Sequence, residues 1–186
     1  MKTLLVFSSV VFSLVAGALA QRGDVDIDKV QPAFISTPEY TYQGDQRRSD
    51  LKQKWLEVEV DFTSKVDVDE LTFRYYILFG TKCLTGEVSH VNILKGRGLH
   101  SVMYVAPRTL SKLLDGKPVS PGAIQDVGVQ VFKQGQLLAT KSFKAAGATP
   151  WWQNMQQVTG LVLNKNETPF APLYWDRYEP LKSERR

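Results

Sequence analysis

Two adjoining stretches of strict alternation constrain this chain most. In KWLEVEVDFTS (Lys54 to Ser64), Leu56, Val58, Val60 and Phe62 share one parity, and Glu57, Glu59 and Asp61 the other. In ELTFRYYILFG (Glu70 to Gly80), Leu71, Phe73, Tyr75, Ile77 and Phe79 alternate with Thr72, Arg74, Tyr76 and Leu78. Successive strand side chains point to opposite faces, so a period of two means a half-buried strand. The second stretch is long and aromatic, as a central strand should be.

The pattern repeats on both sides. DVDIDKVQPAF (Asp24 to Phe34) reads as an edge strand with Val25, Ile27 and Lys29 on one parity, ending near Pro32. Ser36 to Gln53 is polar and reads as a long loop. GEVSHVNILKG and GLHSVMYVAP are two further strands, with KGRG (Lys95 to Gly98) read as their hairpin turn. In PRTLSKLLDG, Leu110, Leu113 and Leu114 have helical spacing and Gly116 suits the C-terminal cap. The next hairpin carries Val127, Val129 and Val131 outward, turns at Gln134-Gly135 and returns through Leu137, Ala139 and Phe143. About seven strands with turns every 8–12 residues predict an all-β fold, an immunoglobulin-like two-sheet β-sandwich with one short crossover helix. A barrel of similar size is the alternative. The paired-cysteine signature of antibody domains is absent.

The first twenty residues read as a leader. Lys2 precedes an apolar run from Leu4 to Val15, and Ala18-Leu19-Ala20 is a small-x-small cleavage site. The apolar run is shorter than the roughly 20 residues of a bilayer span. The expected divisions are therefore a signal peptide at 1–20, a sandwich domain at 21–148 and an aromatic-rich C-terminal extension at 149–186. Without Lys2 the mature chain carries 22 basic and 19 acidic residues, a net charge of +3. The basic residues are scattered, with short clusters at Arg47-Arg48 and Arg185-Arg186. Nucleic-acid binding needs a basic patch or stripe, so no nucleic-acid partner is expected. The single Cys83 excludes an internal disulfide, and its place between two strands marks it as a structural thiol.

Thr149 and Pro150 open the extension as a helix cap and first helical residue would. A helix through PWWQNMQQV aligns Trp151, Met155 and Val158 on one face, with Trp152 about 100° away at the rim. Gly160 would end it, and Leu161 to Leu163 would run extended. Pro169, Pro172 and Pro180 forbid a regular helix beyond. Yet Phe170, Leu173, Tyr174, Trp175 and Tyr178 are too aromatic for a disordered tail. The segment reads as an extended strap that covers its own domain or docks on a partner. Trp152, Phe170, Tyr174, Trp175 and Tyr178 are the candidate partner-binding residues.

Catalytic signals are poor. GxSxG, HExxH, GxxxxGK and Cys-x-x-Cys are all missing. His90 and His100 would lie at similar heights across the KGRG turn, a weak metal pair without a converging carboxylate. Glu57, Glu59 and Asp61 read as a solvated strand face, with Arg74 as a cross-strand counter-charge. Arg22-Gly23-Asp24 reads as a chance tripeptide, and the acceptor pattern Asn166-Glu167-Thr168 is disfavoured by Pro169. The expectation is a non-enzymatic interaction protein with no cofactor and no metal. Its partners would be cell-envelope proteins. The alternative is a carbohydrate-binding module or adhesin with exposed Trp and Tyr stacking on a glycan.

The leader, the sandwich pattern without paired cysteines, and the tail NKNETPFAPLYWDRYE (Asn164 to Glu179) together resemble a family. It is that of the Ig-like exported proteins of Verrucomicrobia, of the Akkermansia type, encoded with type IV pilus-like assembly proteins. TPFAPLYWDRYE, preceded by PWWQ, carries the most specific part of the likeness. The resemblance implies an exported β-sandwich, in the periplasm or at the outer membrane, accessory to pilus assembly. It implies no enzymatic activity and no ligand site. A pilin subunit keeps a long apolar N-terminal helix, which this sequence lacks.

Overall fold

The computed structural model describes residues 23–42, 45–47, 53–144 and 150–183. The leader, Arg22, Arg48, the Thr149 cap and the terminal arginines lie outside the described residues. Seven long strands form the body: β1 (Val25–Ser36), β4 (Lys54–Ser64), β5 (Val68–Phe79), β6 (Lys82–Ile93), β7 (Gly96–Val105), β8 (Ile124–Lys133) and β9 (Gln136–Ser142). Between β1 and β4 lies a small ribbon of β2 (Tyr40–Tyr42) and β3 (Asp45–Arg47). The extension adds β10 (Gln157–Val158) and β11 (Val162–Asn164). The four-stranded sheet has the order β1-β4-β7-β11, and the five-stranded sheet β10-β6-β5-β8-β9.

The two inner faces make the core that alternation predicted. Leu56, Val58, Val60 and Phe62 of β4 meet Leu71, Phe73, Tyr75, Ile77 and Phe79 of β5, with Val127, Val129 and Val131 of β8 beside them. Helix α1 (Pro107–Leu113) links β7 to β8 and buries Leu110. Gly116, at φ 75°, ends it, its amide donating to the Ser111 carbonyl at 2.9 Å. Gln134 and Gly135 both have positive φ, as a tight hairpin turn between β8 and β9 requires.

Four local expectations change. A register shift between Ile27 and Lys29 turns Val30, not Lys29, into the core. β1 also runs past Pro32 to Ser36, because an edge strand needs no amide there. Along β9 a register shift opposite Val131 and Phe132 leaves Leu137 exposed, while Leu138 and Ala139 pack on the core; Phe143, just past the strand, is exposed as well. KGRG is no hairpin turn, since β6 and β7 belong to different sheets. Its glycines serve a bulge: Gly98, at φ 66°, accompanies the shift between Phe62 and Ser64. The fourth long strand thus stays beside the third, whereas the constant-type immunoglobulin order places it beside the fifth.

The predicted helix through Trp151 to Val158 is a single 3-10 turn, Trp151–Asn154. Met155 is already extended, and Gln157 and Val158 pair in parallel with Cys83 and Leu84 of β6. One turn repays little of its ordering cost, whereas an unpaired sheet edge offers ready hydrogen bonds. The tighter turn also reverses the tryptophans. Trp152 is the buried one, at 2% exposure, stacked on Tyr76 at 4.7 Å beside Cys83. Trp151 is half-buried and meets it edge-on. Gly128 opens the space: a Cβ there would stand 2.1 Å from the Trp152 ring. Replacing Gly128 with alanine should push Trp152 out and cost about 1–3 kcal/mol. A lower urea midpoint and red-shifted tryptophan emission would register it.

Candidate functional site

The C-terminal extension wraps one side of the sandwich. It starts on the outer face of the five-stranded sheet, at Trp152. It then crosses the edge, β10 pairing with β6 and β11 antiparallel with β7. Gly86 permits the crossing, because a Cβ there would lie 2.7 Å from Val162. Asn164 and Glu167 form a reciprocal capping box around the turn Lys165–Glu167. The chain next covers the outer face of the four-stranded sheet, where Phe170 stacks on Tyr104 at 4.7 Å and meets Trp55 edge-on at 5.6 Å. The Tyr40 hydroxyl donates to the Pro169 carbonyl. The tail finally returns to β6, where Leu181 bridges His90 and the Lys182 amide donates to Ser89.

The acidic row of β4 lies under this strap and is not a solvated face. Arg177 grips Glu59 through two hydrogen bonds, Nη2 at 2.6 Å and Nε at 3.0 Å, and the Tyr178 hydroxyl adds a third at 2.8 Å. Burial alone would raise the Glu59 carboxyl, but these donors and nearby His100 hold it below the ordinary carboxylate range. Glu57 lacks the grip, and burial raises its pKa. His100 Nδ1 lies 2.8 Å from Asp61, whose other oxygen accepts from Gln31 at 3.0 Å. Arg74 is not the counter-charge: it faces the opposite way, bonds Glu87 at 2.6 Å and covers the Phe132 ring.

Glu59, Asp61 and His100 bring three potential metal ligands within 4.8 Å of one another. The sequence pattern missed this set because it paired His100 with His90. The Arg177 guanidinium already supplies the positive charge a cation would bring, so the cluster reads as a clasp for the strap.

His90 points between the sheets and not toward His100. Its surroundings define one set of proton positions. The Tyr75 hydroxyl donates to Ser101 at 2.7 Å, Ser101 donates to His90 Nε2 at 2.7 Å, and His90 Nδ1 donates to the Glu179 carbonyl at 2.9 Å. A serine, a histidine and an orienting acceptor have the connectivity of a nucleophile and its base. Ser101 and Tyr75 are fully buried, however, and the Ser101 oxygen is already engaged by the Tyr75 hydroxyl. The chain of bonds ties the core to the strap.

The five candidate residues divide. Trp152 and Phe170 are buried against their own domain, which corrects the expectation that Trp152 sits at the rim. Tyr178 is half-buried, its hydroxyl spent on Glu59. Tyr174 and Trp175 stand out at 60% and 80% exposure. They occupy a turn closed by Arg177 N to Tyr174 O at 3.2 Å, directly after one closed by Leu173 N to Phe170 O at 3.0 Å. Tyr174 adopts φ 51°, a costly conformation for a bulky residue, and the anchors on either side hold it there. Cys83 is buried and its thiol is pushed up to about 11, an inert structural state.

Burial pushes His90 down to about 4, against about 6.5 in an unfolded chain. The folded state resists the proton, so the stabilisation is complete above about pH 6.5 and drains as pH falls toward 4. The loss should reach about 3 kcal/mol. Urea midpoints from pH 7.5 to 4 check it: His90→Asn should be less stable at neutral pH but flatter across that window.

No curated protein matches the chain in sequence. Among solved structures, the crystal structure of a protein from Akkermansia muciniphila is similar, with a TM-score of 0.74 and 25% identity. The match covers 87% of this chain and 94% of that one. One protein-family model matches residues 16–185, nearly the whole chain, and the protein belongs to that family.

Proposed function

We propose that this is an exported, non-enzymatic interaction protein, accessory to a type IV pilus-like or outer-membrane assembly, which holds a protein partner through the Tyr174–Trp175 turn. The observation that carries the reading is the contrast among the aromatics. Trp55, Tyr104, Trp152 and Phe170 are packed away, while Tyr174 and Trp175 are displayed on a braced turn. Large aromatics of this kind dominate binding energy at protein interfaces because they bury much area at little entropic cost. The leader-like N-terminus supports export to the periplasm or outer membrane, the likeness to an Akkermansia muciniphila structure supports the sandwich, and the resemblance of the tail TPFAPLYWDRYE to exported pilus-associated proteins supports the accessory role. Among the described residues, no helix is long and apolar enough to cross a membrane. The buried Ser101–His90 pair supports a role without catalysis.

Strand addition on the β6–β7 side is closed off, because the extension already occupies those edges. Deleting 149–186 would therefore strip strands from both sheets and confuse unfolding with loss of binding. Point variants separate the two. Tyr174→Ala and Trp175→Ala should leave the melting temperature within a degree or two and lower capture of an assembly component about tenfold or more. Cross-linking in intact envelopes, with the captured protein identified by mass, reads the result. Unchanged capture by both variants would refute this contact surface. A second reading, glycan binding, is favoured by one observation: Trp175 walls a small cavity that also contains a buried lysine.

A further inference from the structure

We infer that the cavity between the Lys165–Glu167 turn and the Trp175 turn is a binding site for an acidic sugar unit, with the carboxylate on Lys165 and the ring against Trp175. The cavity measures about 190 Å³, smaller than sites for drug-sized ligands and suited to one compact group. Lys165, Asn166, Trp175 and Tyr178 line it, Val102 and Leu181 add apolar wall, and Glu179, whose backbone carbonyl bonds His90, also borders it.

Lys165 is the unusual residue. It is only 6% exposed, where lysines normally keep the ammonium in water. Of its three donors one reaches the Ala171 carbonyl at 3.1 Å. The charge also lies 5.4 Å from the centre of the Tyr178 ring. Among the described residues no carboxylate forms an ion pair with it. A buried ammonium with unspent donors is costly unless an anion completes it. Burial lowers its pKa, and Asp176 only partly offsets this from beyond ion-pair distance. A ligand carboxylate would supply the missing partner.

The remaining wall chooses the body that carries the carboxylate. The largely exposed Trp175 indole offers a flat surface, and Asn166 offers an exposed amide that can both donate to and accept from hydroxyls. That is a setting for a ring with one apolar face and a polar rim. A peptide carrying a terminal carboxylate would use backbone hydrogen bonds as well, and the neighbouring edge at His90 is already paired with Leu181. Tyr174, central to the protein-partner reading, does not line the cavity, so the two readings can fail separately.

The test titrates the full mature chain with glucuronate, glucose and an N-acetylated dipeptide bearing a free carboxylate, following indole and backbone amide NMR signals. Saturable shifts at Trp175 and Lys165 are expected with glucuronate and not with glucose. Lys165→Met and Trp175→Ala should each weaken glucuronate binding about tenfold or more. Asp176→Asn should tighten it, because a competing charge is removed. Tyr174→Ala should leave it unchanged. Equal binding of glucose and glucuronate, tighter binding of the dipeptide, or no saturable shift would overturn the proposal. If Lys165→Met does not fold, the Trp175 and Asp176 variants decide. Tightening by Asp176→Asn cannot arise from a damaged fold, and its absence, together with unchanged binding by Trp175→Ala, overturns the site.

Discussion

The closure of the β6–β7 side by the chain's own C-terminal extension is the constraint on which the rest depends. A sandwich of the seven long strands alone would leave edge amides and carbonyls of β6 and β7 unpaired, and large aromatics on both outer faces uncovered. The extension answers all of these at once. β10 and the Leu181 bridge pair with β6, β11 pairs with β7, Trp152 covers Tyr76 and Cys83, and Phe170 covers Tyr104. Two glycines permit it. Gly86 admits Val162 at the edge, and Gly128 admits the Trp152 ring on the face.

Charge then holds what packing positions. Glu57, Glu59 and Asp61 would be cheap carboxylates on an open strand face. Under the strap they lose solvent, and each is treated differently. Glu59 is compensated by Arg177 and Tyr178, Asp61 by His100 and Gln31, and Glu57 shifts toward its neutral form. On the inner side, the Tyr75–Ser101–His90 bonds end on the strap's Glu179 carbonyl. Polar groups on both sides of the four-stranded sheet therefore hold the same few residues of the extension. The turn that carries Tyr174 and Trp175 lies between anchors, which is why a strained and exposed aromatic pair can be held in one conformation.

The alternating parities of β4, β5 and β8 were legible because period-two burial is a local property, readable from neighbours in sequence. The same holds for α1 and for the Gln134-Gly135 turn. The local rule failed where a tertiary partner competed with it. Helical spacing in PWWQNMQQV was real, but the β6 edge drew Gln157 and Val158 into pairing after one turn. Arg74 looked like the partner of the acidic row, yet the row's strand and its own strand lie in different sheets. Arg177, the actual partner, lies 118 residues from Glu59, too far for any spacing rule to reach. The cavity beside Trp175 had only one sequence signal, a lysine inside an unusually aromatic tail.

The sequence by itself determined that the chain is all-β, where its core faces lie, and that its C-terminal tail is too aromatic to stay in water. Each follows from composition and from periodicity between near neighbours. Only the tertiary structure decided which aromatics are spent on the fold and which are displayed. That choice rests on what each side chain meets across space: a glycine under Trp152, Tyr104 under Phe170, and open solvent around Tyr174 and Trp175.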